Sequence, residues 1–160
     1  MNANRAATSA PVGWRMRLTT VTTCLQRVVP LSVFQLVFRL ALAAVFLKAG
    51  LLKLSSWIPT VQLFADEYQV PLLPPEFAAI MAVITEVGCS TLLILGLGTR
   101  LATLPLLGML AVIQTFVYPH AWSDHLTWGA MLLFLLTRGG GPLSLDYLCG
   151  LEPLRGRHTA

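Results

Sequence analysis

Between Leu101 and Tyr118 the chain runs for eighteen residues without a single charge. A stretch of this length and character matches the roughly 18–20 apolar residues needed to cross a hydrocarbon core of about 30 Å. A chain of 160 residues is enough for one domain and hardly two. Three further stretches have the same character: Leu31–Leu54, which holds Arg39, Lys48 and Lys53; Phe77–Leu97, with Glu86 as its only charge; and the shorter His125–Thr137. The last reaches full length only if Trp122 or the Gly139–Gly141 run lies at an interface. Charged residues make up 11% of the chain and apolar ones 56%, whereas soluble domains carry roughly 25% charge. That shortage excludes a soluble globular enzyme, a disordered tail and a secreted disulfide scaffold. The sequence therefore predicts an all-α membrane protein, a four-transmembrane-helix bundle over 31–148. A basic cytoplasmic segment over 1–30 precedes it and a cytoplasmic tail over 149–160 follows.

Basic residues in short flanking loops set membrane orientation. Arg5, Arg15, Arg17 and Arg27 precede the first span, Arg100 sits in the turn between the second and third, and Arg138, Arg155 and Arg157 follow the fourth. With four spans all of these fall on one side. Asp66, Glu67, Glu76 and Asp124 fall on the other. The expectation is a multi-pass protein of the inner (plasma) membrane with both termini cytoplasmic and Arg100 and Arg138 as topology markers. Because the basic residues sort by topology and do not alternate with stacking aromatics, nucleic acid is excluded as a partner. The lipid bilayer is the first partner, and a homo-oligomer is left open.

Trp14, Leu18, Val21, Leu25 and Val28 form a helical stripe within 11–29. It reads as an amphipathic helix on the cytoplasmic leaflet, with a loosely ordered basic tail as the alternative. In the outer loop over 55–76, Ser55-Ser56 is placed to cap a short helix with Pro59 in its first turn. Val70-Pro71-Leu72-Leu73-Pro74-Pro75 then forbids helix and delivers the chain extended into the second span. This loop either lies across the outer mouth of the bundle or is an interfacial connector.

Ionisable side chains inside a membrane are costly and face the protein interior or pair with one another. At about 100° per residue, Gln35, Arg39, Ala43, Phe46, Gly50 and Lys53 share one stripe of the first span. Lys48 lies off it and can snorkel to the outer interface. Glu86 lies roughly 14 Å below the outer end of the second span and Arg39 about 21 Å below that of the first, so the two come within side-chain reach in depth if the two spans are neighbours. Ala79, Ala82, Val83 and Ser90 flank Glu86 with mostly small residues that admit a close helix neighbour. Arg39, Lys53 and Glu86 are thus either an ion pair that fixes helix register or a site that binds a ligand head group or relays protons.

Gln114, Tyr118, His120, Trp122, Asp124, His125 and Trp128 gather at the outer ends of the third and fourth spans. They read as interfacial anchors or as a polar cap over a small-molecule pocket, with Gln114, Tyr118 and His125 as its candidate groups and His125 or His120 as the proton-exchanging one. No recognised ligand spacing joins the histidines, so no metal site is assigned. Cys24, Cys89 and Cys149 stand alone. Passing electrons to a quinone through thiols needs a neighbouring pair, so this chain cannot do that chemistry by itself.

The run from Arg39 through Phe46, Gly50 and Lys53, Val70-Pro71-Leu72, Glu86-Val87-Gly88, Leu95-Gly96-Leu97-Gly98-Thr99-Arg100 and the closing Gly139–Asp146 segment resemble DoxX-like membrane proteins as a set. The resemblance covers about 33–147. It implies a four-helix bundle whose polar positions are Arg39, Lys53, Glu86 and Arg100, with Asp146 as the closing aspartate. Founding members of that family are small subunits of quinone-reducing membrane oxidoreductases, including thiosulfate:quinone oxidoreductase. Others belong to oxidative-stress complexes or accompany machinery for metal-binding peptides. What the resemblance implies is an accessory subunit of a quinone-linked oxidoreductase or redox-stress complex, with a quinone as ligand and a protein partner carrying the redox or metal chemistry. A non-catalytic scaffold is the alternative, and a small transporter is weaker because no internal repeat is evident.

Overall fold

A computed structural model describes residues 30–151. The expected amphipathic helix over 11–29 and most of the tail lie outside the described residues. Within them every regular element is helical. The first rod, α1 (Leu31–Ser55), leads into a short outer helix, α2 (Trp57–Leu63), and a π-helical turn (Phe64–Tyr68). A second rod runs over Pro75–Leu95 as α3 (Pro75–Val83), a π-helical stretch (Ile84–Cys89) and α4 (Ser90–Leu95). The third joins α5 (Thr99–Val112) to a π-helical turn (Ile113–Val117). These three rods are long and apolar enough to cross a membrane. A fourth helix, α6 (Trp122–Arg138), has 17 residues, about 25 Å at helical rise. It starts three residues before the expected His125 and so takes Trp122 into the helix. The one-turn α7 (Leu145–Leu148) closes the described chain.

The breaks follow from backbone chemistry. Pro74 and Pro75 start α3, where a missing N–H costs nothing. Gly96 ends α4 in the left-handed region, its N–H bonded to Leu93 O and that of Leu97 to Leu92 O, a pattern that satisfies the last carbonyls of a helix. Ser56 does occupy the position before α2, but its hydroxyl caps nothing, and Ser55 Oγ turns back to Leu52 O at 2.9 Å. Pro59 lies in the first turn of α2, as expected.

α1 packs against both halves of the second rod and against α6, while α5 packs against α6 and the middle of the second rod. Leu42, Phe46, Leu93, Leu106, Leu132 and Leu135, one or two from each rod, form the common core. A second, smaller cluster seats the outer loop: Phe64 is buried on Ala78 and Ala79, with Trp57, Val61 and Tyr68 around it. The loop thus lies over the outer part of α3 and is more than a connector.

Candidate functional site

The buried stripe of α1 is Gln35, Arg39, Leu42, Ala43, Phe46 and Gly50, which agrees with the helical phase read from the sequence. Lys48 is exposed on the other side. The expected partnership of Arg39 with Glu86 does not form. Glu86 instead receives Lys53 Nζ on both carboxylate oxygens, at 2.7 and 2.9 Å. The estimate of depth failed because the two spans are not level. Gly50, five residues from the end of α1, lies against Glu86 and Val87, so closely that a Cβ there would come within 2.9 Å of Glu86 Cβ. Glu86, eleven residues into the second rod, is therefore level with the outer part of α1, and Lys53 is its neighbour.

Arg39 is 1% exposed and serves the opposite end of the bundle. Its Nε donates to Leu93 O (2.8 Å) and Nη2 to Ile94 O (2.9 Å), the negative end of the second rod's dipole. Its Nη1 donates to Gly140 O (3.2 Å) and Leu143 O (3.0 Å) in the closing segment. Gln35 Nε2 donates to Arg138 O and Gly139 O at the end of α6. Asp146 accepts from the N–H groups of Gly98 (2.7 Å) and Thr99 (2.9 Å), capping α5 with a carboxylate. Gly96 completes the lock: at φ +67° a side chain is strained, and a Cβ would collide with the Arg39 guanidinium and with Ser144. The side chains of Arg100 and Arg138 are exposed at this same end.

The Lys53–Glu86 pair borders a slot of about 370 Å³ between the outer loop, α3 and the third rod. Volumes of about 300–1,000 Å³ suit small-molecule ligands. Its walls are almost wholly apolar. Ala78, Met81 and Ala82 come from α3, and Pro105, Gly108, Met109 and Val112 from α5. The polar groups are Lys53, Glu86, Thr85, Tyr68 and Tyr118. Two of the three π-helical stretches contribute lining residues from within the membrane rods, and such interruptions recur at functional sites. Pro105 lacks the N–H that an α-helix interior would use, and a Cβ on Gly108 would meet nothing within 4 Å. Both residues are weak helix formers inside an apolar rod, a signal available in the sequence that points to the open wall.

The outer cluster divides in two. Tyr118 Oη donates to Glu67 Oε1 at 3.0 Å and lies 3.4 Å from Tyr68 Oη, so it clasps the outer loop over the slot. Rings of Phe64, Tyr68 and Tyr118 stack edge to face in series. Burial pushes the Tyr68 phenol well above its usual range, with the Tyr118 hydrogen bond and the charges of Glu67 and Glu86 adding to the effect. Gln114 and His125 form a separate pair, Oε1 to Nδ1 at 2.6 Å, and Gln114 Nε2 holds Pro119 O at 2.8 Å. This pair pins the turn between the third rod and α6 and does not line the slot. His120 and Trp122 are exposed, as anchors would be. Of the six side chains proposed from sequence, Lys53, Glu86 and Tyr118 thus meet at one cavity; Arg39, Gln114 and His125 stand elsewhere. Tyr68 went unrecognised because the loop's position over α3 is a tertiary fact, and Thr85 and Gly108 because the facing of the second and third rods is one too.

The DoxX family model matches residues 34–119, which takes in all but the first three residues of the first rod, the other two long rods and every lining residue of the slot. The chain belongs to the DoxX family. No curated protein and no solved structure matches it. Membership with three apolar rods makes it a multi-pass membrane protein in contact with lipid. The matched region ends before α6, so the closing segment bound by Arg39 lies beyond it.

Proposed function

We propose that this DoxX-family protein is a small membrane subunit that binds a lipophilic quinone and works with a redox partner. The observation that carries the reading is the slot: apolar walls for a ring and tail, with a few hydrogen-bonding groups among them. The Lys53 ammonium and the Tyr68 hydroxyl are the donors that would hold the oxygens of a quinone head, while Tyr118, whose proton goes to Glu67, fixes the loop beside them. Met81, Pro105, Gly108 and Val112 would bed its ring and the start of its chain. The residues therefore fit such a ligand. A quinone, when bound, supplies two-electron, two-proton chemistry. The protein's own part is to bind, orient and shield the head, with Glu86 holding the Lys53 ammonium in place. Cys89 is buried and Cys149 exposed, and neither is disulfide-bonded. With no dithiol among the described residues, the reading has electrons come from the partner.

In this reading α6 is the fourth span, completed by Gly139–Gly141, and both termini face the cytoplasm of a cell with the protein in its inner membrane. The clustering of Arg100 and Arg138 at the Arg39 end supports that orientation. A non-catalytic scaffold is the second reading. Its support is Lys48, exposed on α1 about 10 Å below the helix end, where a partner helix could meet it.

Quinone binding to the purified protein in lipid nanodiscs, compared with Glu86→Ala, tests the proposal. The expected result is measurable binding that weakens about tenfold on loss of the carboxylate that positions Lys53. Equal affinity in the two proteins, or none in either, would contradict it.

A further inference from the structure

The charges that border the slot cancel. Lys53 and Glu86 are its two formally charged lining groups, and Lys53 Nζ spans both oxygens of Glu86 at 2.7 and 2.9 Å. Their side chains are 17% and 5% exposed, so water screens them little. Thr85, Tyr68 and Tyr118 add hydroxyls, which are neutral. Arg39 is turned to the far end of the bundle, onto the carbonyls of Leu93, Ile94, Gly140 and Leu143. At the outer rim Glu67 adds a negative charge beside Tyr118.

We infer that the slot selects an uncharged, oxygen-bearing head group over an anionic one, and that Glu86 sets this selectivity. An anion entering would find its only cation already neutralised, in surroundings where an uncompensated charge is costly. A carbonyl or hydroxyl needs only a hydrogen-bond donor, and a lysine ammonium that gives two protons to Glu86 has a third. The bilayer gives this selectivity a purpose. Met81 and Val112 line the slot, are 45% and 37% exposed, and belong to helices of membrane-spanning length, where lipid would be the neighbour. A lone lysine in such a slot would collect phospholipid phosphates and fatty-acid carboxylates. The carboxylate of Glu86 denies them the charge they would seek, and leaves the slot open to a neutral lipid-soluble molecule.

The inference rests on the slot being a quinone-type site, and its test separates the two. The probes are an alkyl-substituted naphthoquinone and its ring-hydroxylated counterpart, which is an anion at neutral pH. Both are titrated into the full-length protein in nanodiscs of uncharged lipid. The wild type is expected to favour the neutral probe by about tenfold or more, and Glu86→Gln to reverse the preference by leaving Lys53 unneutralised. The double variant Lys53→Met with Glu86→Gln, which again has no net charge, should return to the neutral probe. If the wild type binds the neutral probe but Glu86→Gln leaves the ratio unchanged, the selectivity inference fails and the quinone reading stands. If the wild type binds neither probe, the quinone reading fails and this inference with it. Displacement of the neutral probe from the wild type by hexadecanol but not by hexadecyl phosphate supports the same selectivity without any substitution. Equal displacement by both would overturn it.

Discussion

Arg39 and Lys53 lie on one face of the same helix, both inside the membrane-length rod, and the protein treats them in opposite ways. Arg39 is saturated: its guanidinium ties two carbonyls of the second rod to two of the closing segment. It does not line the slot. Among the described residues the Lys53 ammonium has one partner, Glu86, and that pair borders a slot. A planar donor fork suits a lock that several carbonyls must share, whereas a compact ammonium on a flexible stem suits a site that has to accommodate something else. The contrast teaches that a buried charge becomes a candidate for function through what it leaves unfilled around it. Burial alone describes Arg39 better than Lys53.

Substitutions can break the contrast, and the largest effect should come from the lock. Arg39→Met is expected to destabilise the bundle by about 4 kcal/mol or more, because charged donors to four carbonyls vanish at a fully buried site. Thermal unfolding in detergent would register this as a fall in midpoint. A variant as stable as the wild type would mean that Arg39 holds nothing. Asp146→Ala removes the cap of α5 and should cost about 1–2 kcal/mol by the same assay. Tyr118→Phe keeps the ring stack and loses the bond to Glu67. The cost is expected to be about 1 kcal/mol or less, with faster ligand dissociation if the outer loop is a roof over the slot. Smallest in stability is Gly108→Leu. Its new side chain enters open space, and replacing a mid-helix glycine relieves rather than adds strain, so unfolding should be unchanged or slightly harder while the slot is filled.

Much of the fold was legible in the sequence because lipid leaves few alternatives: an apolar run long enough to span must be helical. The stripe from Gln35 to Gly50 followed from helical phase alone. What failed was depth. Pairing Glu86 with Arg39 assumed level helix ends, and only the packing of Gly50 on Glu86 reveals the stagger. The roles of Gln35 and Asp146 depend on the chain returning from α6 beneath the turn at Gly96–Gly98, a tertiary contact with no local signature. The slot was half visible. Lys53, Glu86 and Tyr118 stood out by chemistry, but the space between them is made by residues notable for what they lack, Gly108 a side chain and Pro105 an N–H.

The central claim is that this space holds a lipophilic quinone. Gly108→Leu isolates it, because the substitution touches neither charge nor hydroxyl. Equilibrium binding of a short-tailed quinone to wild type and Gly108→Leu in nanodiscs, each with its unfolding midpoint recorded, is the direct measurement. The account predicts that the variant keeps its midpoint and loses binding by about tenfold or more, the expected result of overfilling a fitted pocket. Unchanged affinity in a folded Gly108→Leu protein would contradict it.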